Sequence, residues 1–330
     1  MKNIYSILVA LLFSYFLVGC NSGAGYPANQ TSVDTHGSAF LIQNGIVVNE
    51  SALNARIPLI YHSINHNGQS ASITCSGTLL DAQTIVTAAH CVLDMQDYKA
   101  AGENYTESSI VATNSLRVIL PVNLTQAVNL NQPEQTNWNV YHVATIYVHK
   151  EALNGVAVYG SSGFNIVEKS KLNDIAILKL TTPVANQYQF AKLATSNPAL
   201  GQSEIIAGFG VNQGNGVISA DSANGASNVL RMAYASVQKI DATYIYVGGS
   251  SDQQQGYSKN CDGDSGGPDF IIADNGDYIL TGIHSFNDGN VCGVTNLPSA
   301  SLSAASYQDW IKGGYLQDSL ILDSSPASSK

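Results

Sequence analysis

The chain has 330 residues, a formal net charge of −10 and only 12% charged residues. Such an acidic, charge-poor composition excludes nucleic acid as a partner and adhesion to anionic lipid through a basic face. The sequence holds no dinucleotide fingerprint, P-loop, His-Glu-x-x-His or paired Cys-x-x-Cys pattern, so no nucleotide, metal or other cofactor is expected.

The chain opens with a targeting segment. Met1-Lys2-Asn3 is a short basic start, and Ile4 to Val18 is predominantly apolar. That run is too short for a comfortable membrane span and has the length of a signal-peptide core, which assigns residues 1–19 to a signal peptide. Leu17-Val18-Gly19-Cys20 resembles the lipobox of bacterial lipoproteins, where the cysteine carries lipid; the alternative is a plain secretory signal with a cysteine at its cleavage site. Residues 20–45, rich in Gly, Ser, Asn and Thr, read as a linker or pro-segment, lipidated at Cys20. The expected location is the bacterial cell envelope, or the exterior after processing.

From residue 46 onward, short apolar stretches alternate with Asn, Gly and Asp turns, which favours sheet over helix. Ile85-Val86-Thr87-Ala88-Ala89-His90-Cys91 reads as an apolar strand ending at a histidine, and a disulfide from Cys91 to the upstream Cys75 would fix the loop that carries it. Asp174 stands at the head of the nearly all-apolar Ile175-Ala176-Ile177-Leu178-Lys179-Leu180. A carboxylate there is either a turn or cap residue, or it needs a partner that justifies its burial, and His90 is a candidate. Cys261-Asp262-Gly263-Asp264-Ser265-Gly266-Gly267-Pro268 then sets one serine in a glycine-flanked loop. A serine hydroxyl is a weak nucleophile that needs a base to take its proton and amides to hold the resulting oxyanion. Flanking glycines let the backbone turn so that N–H groups converge on one point. An ordinary glycine-rich turn is the alternative, but this string is far more specific than a lone glycine pattern.

At these motifs the chain resembles the trypsin/chymotrypsin family of serine proteases. TAAHC (87–91), NDIAILKL (173–180) and CDGDSGGP (261–268) carry the resemblance, with weaker matches at Gly208-Phe209-Gly210, at Gly282-Ile283-His284-Ser285-Phe286 and at Tyr307-Gln308-Asp309-Trp310-Ile311. The resemblance implies an all-β fold of two packed antiparallel barrels, roughly 46–180 and 185–300. A closing helix near 303–313 ends the protease domain (46–313), and 314–330 is expected to be a flexible tail. It implies that His90 is general base and acid, Asp174 orients it, Ser265 attacks the carbonyl, and the N–H groups of Gly263 and Ser265 form the oxyanion hole. It also pairs Cys75 with Cys91 and Cys261 with Cys292, which leaves Cys20 for lipid and implies an oxidising compartment.

Two departures from the family stand out. Gly45-Ile46-Val47-Val48-Asn49 resembles the family's mature start, where a new α-amino group at Ile46 pairs with Asp264. Most members carry Arg or Lys where this chain has Gly45, so Ile46 is either exposed by an unusual activating protease or is simply the first strand. The interval between His90 and Asp174 is also longer than the family needs, and the excess, roughly within 94–170, is read as surface elaboration near the cleft rim.

The specificity pocket carries a charge inversion. The family's pocket base falls on Lys259, where trypsins carry an aspartate and select Arg or Lys. Ser285-Phe286-Asn287 resembles the wall that pairs with the substrate backbone, Ser299 stands on a third wall, and His284 resembles a histidine of bacterial glutamyl endopeptidases. A lysine and a histidine converging on one cavity repel basic side chains and welcome a carboxylate. The alternative has Lys259 turned outward to a surface acid such as Asp262. The function expected is a serine endopeptidase, acting on proteins or peptides through an acyl-enzyme and preferring an acidic residue before the scissile bond. A catalytically inactive binding module on the same fold is the alternative, which a fluorophosphonate label would tell apart.

Overall fold

The computed structural model describes residues 45–48, 53, 56–66, 69–93, 106–120, 139–152, 157–160, 163–166, 173–210, 230–249, 258–261, 263–287 and 298–324. The signal peptide, Cys20, Asp262 and Cys292 lie outside the described residues.

Strands dominate because the chain supplies β-branched and aromatic stretches bounded by turn residues. β1 is Ile46–Val47, and β2 (Leu59–His66) and β3 (Gln69–Ser76) form a hairpin. β4 (Thr78–Leu79) follows β3 after Gly77, where a Cβ would lie 2.8 Å from the Ile85 side chain. β5 (Thr84–Thr87), β6 (Leu116–Leu120) and β7 (Asn139–His149) come next, then a two-stranded hairpin of β8 (Ala157–Gly160) and β9 (Gly163–Ile166), then β10 (Ala176–Leu180). The first sheet runs β3-β2-β6-β7-β10-β5-β4. Its two ends are halves of one chain segment bent at Gly77, so it closes as a barrel.

The second sheet uses β12 (Ser203–Gly208), β13 (Arg231–Ile240), β14 (Tyr244–Val247), β15 (Pro268–Ile272), β16 (Tyr278–Asn287) and β17 (Ser299–Ser303), with β11 (Lys192–Leu193) parallel to β16. Its order β13-β12-β15-β16-β17-β14 closes where β14 returns to β13. Every position of β5, β14 and β17 is buried. Full burial of each Val, Ile or Leu there is worth roughly 1.5–3 kcal/mol, an upper estimate because the unfolded chain is itself compact. The all-β, two-barrel architecture is the one the motifs imply.

Two boundaries differ from the sequence expectation. β1 does not belong to the first barrel; it pairs with β13 of the second, Ile46 opposite Met232. Residues 314–330 are not wholly a tail: a 3₁₀ turn at Gly314–Leu316 leads into β18 (Ser319–Asp323), which pairs antiparallel with β7 of the first barrel. Within the 94–170 interval, β6 and β7 belong to the first barrel's sheet, whereas β8 and β9 form a separate two-stranded sheet. Each end of the domain is thus stitched to the barrel more distant from it in sequence. The short helix α1 (Gln308–Lys312) helps: Trp310 packs on His149 of β7 at 5.4 Å between ring centres, and its indole N–H donates to the Asp318 carbonyl at 3.2 Å.

Candidate active site

His90 and Asp174 meet through strand register. β10 pairs antiparallel with β5, Ala176 opposite Thr87, so the residues just before β10 and just after β5 lie side by side although 84 positions separate them. The apolar β5 ends at Thr87, and after Ala88 His90 lies in a 3₁₀ turn, Ala89–Cys91. The Cys75–Cys91 disulfide ties that turn to the end of β3. Asp174 is 1% exposed. Its Oδ1 accepts the His90 backbone N–H at 2.9 Å, and its Oδ2 accepts His90 Nδ1–H at 2.8 Å. The Ser285 hydroxyl, from the second barrel, donates to the same Oδ2 at 2.6 Å. Burial alone would raise the Asp174 carboxyl, but His90 beside it and the donated hydrogen bonds hold it below its ordinary value. An ionised Asp174 keeps the proton of His90 on Nδ1 and leaves Nε2 able to accept one.

Glycine geometry brings the serine loop to this pair. Gly263 and Gly266 have φ of 95° and 76°, in the left-handed region that favours glycine. A Cβ on Gly266 would collide with the Thr87 hydroxyl and the Ser76 carbonyl, so the loop lies directly on the end of β5. The Ser265 carbonyl accepts the Ser76 N–H at 2.8 Å, and Cys91 Sγ touches it at 3.6 Å. The Ser76 hydroxyl donates to the Gly263 carbonyl at 3.1 Å and accepts the Phe209 N–H at 3.0 Å. The Ser265 loop and His90 therefore share one support, the Cys75–Cys91 corner.

Asp264, completely buried, points its carboxylate the other way. Gly210 N–H and Cys261 N–H each donate to it at 2.8 Å. Gly208 and Gly210 make the room: a Cβ on Gly210 would fall 2.6 Å from the Asp264 carboxyl carbon. Ile46 follows Gly45 without a break and sits in β1, so an ion pair between its α-amino group and Asp264 requires cleavage first.

The pocket residues separate into two groups. Lys259 is fully buried, which argues against the outward-turned alternative, and burial pushes its ammonium below the ordinary lysine value. Its neighbour Asn260 donates its backbone N–H to the buried Ser299 hydroxyl at 3.1 Å, and Asn287 pairs in register with Ser299. The Ser285 hydroxyl is the group that donates to Asp174. His284 turns into the second barrel: Nε2 lies 2.7 Å from Asp269 Oδ1, and Nδ1 lies 3.1 Å from the Asp264 carbonyl. Both nitrogens thus face acceptors of the protein itself, which corrects the expectation that His284 joins Lys259 in the pocket. Asp269 and Glu204, its buried companion, were not singled out in the sequence. Each is a lone acid in an apolar strand, the signal that marks Asp174. Cys261 is disulfide-bonded, and Cys292, its expected partner, is outside the described residues. Among those residues, the one group of close-set ligand atoms is Cys75, His90 and Cys91, whose sulfurs are already joined to each other.

Two antiparallel barrels, a buried acid on a histidine and a glycine-wrapped serine beside them define a serine endopeptidase. The chain belongs to the trypsin family, whose model matches residues 46–311. It is 29% identical to chymotrypsin-C of Bos taurus over 72% of this chain and 76% of that one. It is 28% identical to trypsin eta of Drosophila melanogaster (72% and 75%) and 27% identical to chymotrypsin-like elastase family member 1 of Felis catus (72% and 77%).

Proposed function

We propose that this endopeptidase cleaves proteins or peptides through an acyl-enzyme on Ser265, preferentially after an acidic residue. The observation that carries the mechanism is the 2.8 Å contact of His90 with the buried Asp174, beside the loop of Ser265. His90 Nε2 takes the serine proton as Ser265 Oγ attacks the carbonyl, then gives it to the leaving amine. Water repeats the cycle on the ester, and the Gly263 and Ser265 N–H groups hold the oxyanion. The buried Lys259 supports the substrate preference. A lysine at this place in the pocket would attract an entering carboxylate, whereas Arg or Lys would meet like charge. The test is kcat/KM for matched peptides with Glu, Leu, Ala or Arg before the scissile bond. Glu should win in the wild type and lose its lead in Lys259→Ala. A preference for Arg would refute acid recognition and the pocket assignment together.

Export and anchoring are read from residues 1–45 alone. Cleavage before Cys20 and lipid on that cysteine would hold the protease at the cell envelope, and a second cut at Gly45–Ile46 would release and activate it. Multiple acyl chains anchor stably where one does not. Cys20→Ser should move the protein to the soluble fraction, and an unlipidated Cys20 in the mature protein would overturn the anchor.

A further inference from the structure

The buried cluster of His284, Asp269 and Glu204 lies directly beneath the nucleophile loop. His284 is 1% exposed, Asp269 0% and Glu204 1%. The strand segment at His284 grips the loop by its backbone: Gly266 N–H donates to the His284 carbonyl, and His284 N–H donates to the Gly267 carbonyl, both at 2.8 Å. The ring adds a third contact, to the carbonyl of Asp264. That carbonyl belongs to the peptide unit whose other end is the Ser265 N–H. A trans peptide is planar, and its C=O and N–H point in opposite directions. Fixing the carbonyl from below therefore fixes the direction of the N–H above.

We infer that His284 is a positioning residue for the oxyanion hole: held by Asp269, its Nδ1–H anchors the Asp264 carbonyl and aims the Ser265 N–H at the developing oxyanion. The inference rests on the acyl-enzyme reading of Ser265. The Asp264 carbonyl accepts two hydrogen bonds, from Gly267 N–H at 2.8 Å and from the His284 ring at 3.1 Å. A lone pair on Nδ1 would face the carbonyl lone pairs, so the contact requires a proton there. Donors on a carbonyl also polarise its peptide unit and strengthen the N–H as a donor. Asp269 Oδ1 fixes the ring plane from the far side at 2.7 Å. Glu204 is the weaker competitor for the ring: burial and then the Asp269 charge push its carboxyl up to about 8, which favours its neutral form. Gly267 completes the arrangement, because a Cβ there would press within 2.8 Å of the Asp264 carbonyl oxygen and 3.1 Å of the His284 Nδ1.

The test separates transition-state from ground-state binding. In His284→Val, and in the charge-balanced pair His284→Val with Asp269→Leu, kcat should fall on the order of ten- to hundredfold with KM unchanged. Affinity for a peptide boronate, which mimics the tetrahedral oxyanion, should fall by the same factor, while affinity for the cleaved peptide product stays the same. Retention of wild-type kcat and boronate affinity by the folded variants overturns the inference. Nitrogen-15 spectra of the wild type give a second reading that needs no variant: a proton on His284 Nδ1 is required, and an unprotonated Nδ1 at neutral pH refutes it. Fluorophosphonate labelling of wild-type Ser265 tests the acyl-enzyme reading separately, so the two failures are distinguishable.

Discussion

Asp174→Asn should abolish most activity while leaving the fold almost untouched, and the geometry says why. Asp174 accepts three hydrogen bonds: the His90 N–H on Oδ1 at 2.9 Å, and His90 Nδ1–H and the Ser285 hydroxyl on Oδ2 at 2.8 and 2.6 Å. An asparagine has two ways to sit there. With its NH₂ at the Oδ1 position, two donors face each other in a site 1% exposed, a penalty of about 1–3 kcal/mol. With its NH₂ at the Oδ2 position, every group is satisfied provided that His90 carries its proton on Nε2 and Ser285 accepts. The second arrangement wins, and it is the inactive one, because an Nε2–H cannot take the serine proton. The expected fall in kcat/KM is on the order of 10⁴-fold, the loss the same exchange produces in the family's prototype, equivalent to about 5.5 kcal/mol. Because the hydrogen bonds are conserved in number, the melting temperature should move by less than about 5 °C. The assay is peptide hydrolysis paired with thermal unfolding. A variant that keeps more than about a tenth of wild-type activity, or one that no longer folds, would show that the tautomer argument is wrong.

Gly210→Ala places a methyl group 2.6–2.7 Å from the buried Asp264 carboxylate, which is itself held by two backbone donors. The loop must shift, so kcat should drop at least about tenfold, and unchanged kcat would mean that Asp264 can yield. Replacing Cys75 and Cys91 together by serine opens a loop of sequence separation 16 and should cost about 3 kcal/mol by denaturant titration. Activity should fall too, since the same bond supports His90. Asp174 is held below its ordinary 3.8, so its ionised form stabilises the fold above that pH and the contribution is lost as pH falls through the lower native value. Wild type should therefore lose stability more steeply than Asp174→Asn below pH 3.8. Glu204 has the opposite sign. Its native value is raised from 4.5 to about 8, so its contribution is complete below pH 4.5 and lost as pH rises through about 8. Glu204→Gln should flatten that decline, and an unchanged pH profile would place Glu204 outside a buried site.

The three motifs that carry the chemistry were legible in the sequence because each encodes its own local requirement. Gly263 and Gly266 are written where the backbone needs positive φ, β-branched residues lead to His90, and an acid opens the apolar β10. The two-barrel class followed from the family resemblance and from strand-sized apolar stretches between turn residues. What the sequence could not contain was direction across the barrels. A break in register between His284 and Phe286 sets which way this part of β16 faces. A β-bulge changes side-chain direction without any mark in residue type. That is why the support that the Ser285 hydroxyl gives Asp174 was not foreseen, and why His284, read as a pocket group, points at Asp269. The exchange of β1 and β18 between barrels was equally hidden, because strand pairing is a choice of partner, not of composition. Residue chemistry thus marked the candidate nucleophile, base and acid, while the closure of two barrels on each other decided which buried groups support them.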